Sequence, residues 1–111
     1  MSKSNEKRTI VEILRGVAAS SGVYKGRVKV LRSASDISKI ESGDILVAPE
    51  TNPEFMPALM RARAIITDRG GILSHAAIVA RELGIPAVVG TLYATSKLKA
   101  VSYTHLRAHE T

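Results

Sequence analysis

The chain has 111 residues, of which 45% are hydrophobic and 23% charged, with no cysteine and a formal net charge of +6. That length suits one compact domain of roughly 100 to 150 residues, the composition excludes a disordered or collagen-like polymer, and the missing thiols exclude a disulfide framework and a thiolate zinc site. No apolar run approaches the roughly 20 residues that span a bilayer, and MSKSNEKR leads into no signal-type hydrophobic segment, so a cytoplasmic setting without a membrane partner is expected.

The positive charge raises the question of nucleic acid, because clustered Lys and Arg neutralise phosphates. Here the charges are scattered. Lys25, Arg27 and Lys29 alternate as on a solvated strand face, and three Tyr and one Phe offer little to stack on bases. No nucleic-acid partner is expected; a basic surface also favours phosphorylated small molecules or an acidic partner domain.

Residues 1–9 are polar and read as a terminus or linker. From Ile10 to Leu31 the chain reads as two extended segments punctuated by Gly16, Gly22 and Gly26, and Ser33 to Gly43 reads as a short helix or turn. Ile45 to Ala48 is a strand ended by Pro49. Pro53 suits a first helical position, with Phe55, Met56, Leu59 and Met60 spaced for one helix face. Ala64 to Thr67 is a short apolar strand that runs into the turn Asp68-Arg69-Gly70-Gly71. A second helix follows, with Ser74 as its cap, an Ala-rich body and an end at Gly84 and Pro86; Ala87 to Val89 is a further buried strand. Short strands interleaved with helices predict an α/β or β/β/α domain in which helices cover a small sheet.

The informative segment runs from Thr67 to Ala77, where a strand ends in a diglycine turn and His75 opens a helix. Unpaired backbone N–H groups and the positive end of the helix dipole converge there, so an anion is welcome. An uncharged imidazole at that point would keep a lone pair for attack on phosphorus, and the phosphorylated ring would turn its oxygens toward the same donors. From spacing alone, the readier reading of His75 is a capping or partly buried structural histidine, and of Gly70-Gly71 an ordinary turn. Ser74 beside His75 does not make a hydrolase dyad, since neighbours at a helix start do not face each other and no G-x-S-x-G elbow exists. No second His or carboxylate at helical spacing supports a metal at His75. Arg69 and Arg81 read either as clamps for phosphate oxygens or as surface arginines.

The stretch TDRGGILSHAAIVARELGIPAVVGT resembles the phosphohistidine signature of the phosphoenolpyruvate-utilising enzymes, a family that includes phosphoenolpyruvate synthase, pyruvate phosphate dikinase, rifampicin phosphotransferase and the first enzyme of the bacterial sugar phosphotransferase system. The resemblance extends through GDILVAPETNPEFMPALMRARAIIT and, more loosely, GVAASSGVYKGRVKVL, roughly residues 14 to 99. It implies a swivelling β/β/α phosphohistidine domain, a small sheet sandwich covered by helices, with His75 as the catalytic phosphoryl carrier. Thr67, Gly70, Gly71, Ser74 and Arg81 fall on supporting motif positions: the glycines for close backbone approach, Thr67 for a hydrogen bond. The implied partners are a nucleotide-binding domain and a barrel that binds phosphoenolpyruvate and pyruvate, in the same parent chain or as separate subunits. ATP and Mg²⁺ are expected on those partners, no cofactor or metal on this chain, and no turnover from it alone. The competing expectation is a regulatory or partner-binding module of the same fold without covalent transfer.

Two features depart from the family pattern. Leu73 stands where dikinases and synthases usually carry Thr, so regulatory phosphorylation two residues before the histidine is not expected; Ser74 agrees with dikinase-type members, whereas RELGIPAVVG is closer to the synthases. The closing VSYTHLRAHET resembles the translation of a sequencing-library adapter. The expected organisation is therefore a terminus over 1–9, a swivel domain over 10–100 truncated at its C-terminal strands, and an adapter-derived segment over 101–111 in which His105 and His109 have no function.

Overall fold

A computed structural model describes residues 17–20, 22–92, 94–98 and 103–108. The expected polar terminus at 1–9, the first residues of the 10–100 domain, and His109 lie outside these. Among the described residues six strands are formed: β1 (Val17–Ser20), β2 (Gly22–Val30), β3 (Ile45–Ala48), β4 (Ala64–Thr67), β5 (Ala87–Val89) and β6 (Tyr103–Ala108). Three α-helices accompany them, α1 (Met56–Leu59), α2 (His75–Leu83) and α3 (Ala94–Lys97), together with 3-10 turns at Ala34–Lys39 and Pro53–Phe55. Asn52 caps the second of these turns, its side chain accepting the Glu54 N–H at 2.8 Å ahead of Pro53.

The strands lie in the order β1-β5-β4-β3-β2-β6. The four central strands run parallel, β2 with β3, β3 with β4 and β4 with β5, and the outer strands β1 and β6 are antiparallel to β5 and β2. Although one residue joins β1 to β2, they pair with different neighbours. β6 forms within the segment that resembles adapter sequence and follows residues 22–27 of β2, a stretch of strand edge that β3 does not reach. Unpaired strand edges accept any extended chain of suitable composition.

Strands of a parallel sheet covered on both faces read as continuous apolar runs, and β3, β4 and β5 do so, with every residue buried. The period of two then sorts their side chains between two cores. Leu46, Ala48, Ile65, Ala87 and Val89 pack with Leu59, Phe55 and the Ala76, Ala77, Val79 and Ala80 face of α2. Ile45, Val47, Ala64, Ile66 and Val88 pack on the opposite side with Val28, Ala94 and Leu98. The layers are thus one mixed sheet and the helices on its two faces.

The four-residue α3 has no sequence signal strong enough to foresee, and a buried polar clasp holds it. Thr91 Oγ1 accepts the Ala94 N–H at 3.3 Å. The Asp68 carboxylate, 8% exposed, accepts the Thr95 N–H at 3.0 Å and the Thr95 hydroxyl at 2.6 Å. Asp68→Ala leaves both donors buried without acceptors, an expected loss of about 3 kcal/mol in equilibrium urea unfolding. Asp68→Asn keeps one acceptor and should lose less. An unchanged midpoint in the alanine variant would show that α3 is held by other contacts.

Candidate functional site

Because β3, β4 and β5 are parallel, the loops after Ala48, Thr67 and Val89 gather at one edge of the sheet, the edge at which open α/β sheets bind ligands. These loops are stitched together by backbone bonds. The Asp68 N–H donates to Ala48 O at 3.1 Å, the Arg69 N–H to Pro49 O at 2.9 Å, and the Leu92 N–H to Asp68 O at 2.8 Å. Thr67 is fully buried. Its hydroxyl donates to Arg69 O at 2.8 Å, and its carbonyl accepts the Thr91 N–H at 3.1 Å and the Thr91 hydroxyl at 3.0 Å. Thr67 therefore shapes the loop and does not bond the imidazole.

Gly70 takes φ +116, and a Cβ placed there would lie 2.9 Å from Ser74 Cβ. The other side of the turn is equally close: at Gly90, φ +70, a Cβ would lie 2.9 Å from the Gly70 carbonyl oxygen. Gly71 differs, with nothing within 4 Å of its Cβ direction. The turn then meets Ser74, the N-cap of α2, whose hydroxyl donates to Gly71 O at 2.8 Å and accepts the Ala77 N–H at 3.3 Å. α2 closes at Gly84, whose N–H reaches the Ala80 and Arg81 carbonyls.

His75 is half-buried and is the first residue of α2, the end of the helix at which the first-turn N–H groups and the dipole focus positive potential. Its Nδ1 lies 2.8 Å from Thr51 Oγ1, in the loop after β3. Thr51 is buried, and this bond fixes both the ring plane and the nitrogen that faces the protein. Thr51 lies 24 positions before His75 and is the site residue the sequence did not single out. The available signal was its place in the loop after the Ile45–Ala48 strand.

The two arginines have separate partners. Arg69 is exposed and its Nε donates to Glu50 Oε1 at 3.2 Å. Arg81 donates from Nη1 to Ala19 O at 3.0 Å and from Nη2 to Ile72 O at 2.5 Å. Ile72 and Leu73, immediately before the cap, are exposed. Among the described residues no three His, Asp or Glu side chains converge to hold a metal ion, and no helix is long and apolar enough to cross a membrane.

The fold is a mixed α/β sheet with a histidine opening a helix at the carboxyl edge of its parallel strands. The family model described as "PEP-utilising enzyme, mobile domain" matches residues 40–108, and the chain belongs to that family. It is 60% identical over 91 residues to a probable phosphoenolpyruvate synthase of Pyrococcus abyssi, covering 82% of this chain and 11% of that protein. Identity to the phosphoenolpyruvate synthase of Pyrococcus furiosus is 59% over the same length, with the same coverage. An uncharacterized phosphotransferase of Bacillus subtilis is 53% identical over 95 residues, 86% of this chain and 11% of that one. The chain thus spans about a ninth of the length of these curated relatives. Among solved structures, a solution structure of Enzyme I aligns with TM-score 0.55 and 34% identity over 65% of this chain and 30% of that one. Aconitase X of Thermococcus kodakaraensis aligns with TM-score 0.57 over 85% of this chain and 90% of that one, at 22% identity, a likeness of fold alone.

Proposed function

We propose that this chain is the phosphoryl carrier of a phosphoenolpyruvate-utilising phosphotransferase of synthase or dikinase type, and that His75 Nε2 takes up and hands on the phosphoryl group. The observation that carries the reading is His75 at the start of α2 with Nδ1 on Thr51. With the proton on Nδ1 donated to Thr51 Oγ1, the lone pair is on Nε2. Nε2 attacks phosphorus, the bond from phosphorus to the donor oxygen breaks, and that oxygen leaves with the electron pair. The Nδ1 proton stays between ring and threonine. The transferred oxygens face the first-turn N–H groups of α2, which offset their charge. The second half of the cycle reverses the roles: the acceptor oxygen attacks, the P–N bond breaks, and the ring regains its lone pair.

The partners in this reading are a nucleotide-binding domain and a barrel that binds phosphoenolpyruvate and pyruvate, in the parent chain or as separate subunits, with ATP and Mg²⁺ bound there. A cytoplasmic setting goes with such substrates. The 11% share of the relatives' length is what a single domain of a multidomain enzyme would occupy.

The test is to incubate the chain with the barrel domain of a family enzyme, Mg²⁺ and labelled phosphoenolpyruvate. An acid-labile, base-stable adduct is expected. A folded chain that stays unlabelled beside an active barrel would overturn the reading in favour of a regulatory module of the same fold.

Thr51→Val removes the hydroxyl at nearly constant volume. The ring then loses its orienting partner, and the rate of labelling should fall roughly ten- to a hundredfold, the size of effect known for partners that orient metal-bound imidazoles. A rate within twofold of the wild type would show that Thr51 does not set the ring.

A further inference from the structure

Arg81 occupies a motif position, yet its geometry is that of a brace. It lies six residues after His75, about 9 Å further along the axis and about two thirds of a turn around the helix. Both terminal nitrogens of its guanidinium are engaged by backbone carbonyls. One is Ala19 O. In the β1–β5 ladder Val17 pairs with Val89, Ala18 with Val88 and Ser20 with Ala87, and the register shifts between Ala18 and Ser20. Ala19 is thus the bulged residue, and such bulges re-aim a group out of the ladder. The other carbonyl is Ile72 O, three residues before His75, in a segment where Gly71, Ile72 and Leu73 are all exposed. Within that segment the remaining hydrogen bonds run from Ser74 back to Gly71 O and stay inside the turn.

We propose that Arg81 is a positioning residue, which holds the turn before the helix onto the bulge of β1 and thereby sets the His75 ring against Thr51, without touching the phosphoryl group. This rests on His75 as the carrier, but its first signature belongs to the unphosphorylated protein. A tied turn fixes Ser74 as cap and His75 as first helical residue; with the tie cut, exposed Ile72 and Leu73 lose their link to the sheet. The planar fork of Arg holds two carbonyls from two separate nitrogens in a fixed geometry, which the compact, rotating ammonium of Lys does not reproduce.

The experiment uses the 111-residue chain with ¹⁵N-labelled histidine, comparing wild type, Arg81→Met and Arg81→Lys. His75 resonances are identified by their loss in His75→Gln. In Arg81→Met the Nδ1–H tautomer signature of His75 should disappear from the unphosphorylated protein. Labelling should slow by about a hundredfold, the usual consequence of a misplacement of about 1 Å. The half-life of the phosphorylated form, once made, should match the wild type. Arg81→Lys should recover part of the labelling rate. An unchanged tautomer with a shortened half-life would overturn the proposal and make Arg81 a phosphoryl clamp, and no change in either quantity would overturn it as well. If Arg81→Met fails to give a native amide spectrum, Arg81→Gln is judged by the same two readouts. A wild type that shows the tautomer signature but accepts no phosphoryl group would defeat the carrier reading and leave the brace standing.

Discussion

Replacing His75 with glutamine is expected to lower phosphoryl labelling by about a thousandfold or more, to the level of the barrel domain alone, while the chain stays folded. The side chain is half-buried and makes one hydrogen bond, from Nδ1 to Thr51 Oγ1, whereas a glutamine amide nitrogen takes the place of Nε2. Stability should therefore fall by only about 1 kcal/mol, the net worth of one hydrogen bond. What glutamine lacks is a nitrogen lone pair, because the amide nitrogen is delocalised into its carbonyl. Loss of the nucleophile removes the covalent route altogether, which is why the effect exceeds that of any orienting residue. The measurement is the initial rate of acid-labile label, with an unfolding curve on the same preparation. Label retained by a folded His75→Gln protein would place the carrier elsewhere and leave the helix N-terminus without its assigned role.

Gly70→Ala should have the largest effect among the residues that do not react. Its φ of +116 is a conformation that L side chains rarely adopt, and the new methyl would stand 2.9 Å from Ser74 Cβ and 3.0 Å from Ser74 Oγ. Backbone strain costs roughly 1–3 kcal/mol at such a position, and displacing the N-cap adds about 1 kcal/mol. The expected sum is roughly 2–4 kcal/mol in urea unfolding, with labelling reduced through the displaced His75. Gly71→Ala is the matched control. It has no positive φ and no atom within 4 Å of a new Cβ, so stability should change by about 0.5 kcal/mol or less. Equal losses from the two substitutions would mean that the turn is held differently in solution. The pair also separates two roles that the motif does not distinguish: Gly70 is required by backbone geometry, and Gly71 leaves the outer face of the turn open.

Much of this protein is legible along the chain because its signals are local. The apolar runs Ile45–Ala48, Ala64–Thr67 and Ala87–Val89, the Ser74 cap, the Gly84 stop and the 3-10 turn over Ala34–Lys39 each depend on neighbours within a few residues. His75 at a helix start after two glycines belongs to the same class, and it led to the family without any knowledge of its surroundings. α3 escaped because its four residues are too few for a periodic signal and are held by the Asp68 clasp, 27 positions away from Thr95.

By itself the sequence determined strands β1 to β5, the α2 cap, the site turn and the place of His75 at a helix start, since each rests on backbone propensity and short-range hydrogen bonding; β6 lies in the segment read as adapter-derived. Tertiary structure alone decided which side chains reach those places. The parallel order β5-β4-β3 brings Thr51 to His75 Nδ1, and a bulge in β1 gives Arg81 a carbonyl to hold. These contacts span 24 and 62 residues of chain, and no local pattern encodes which distant loops a parallel sheet will set side by side.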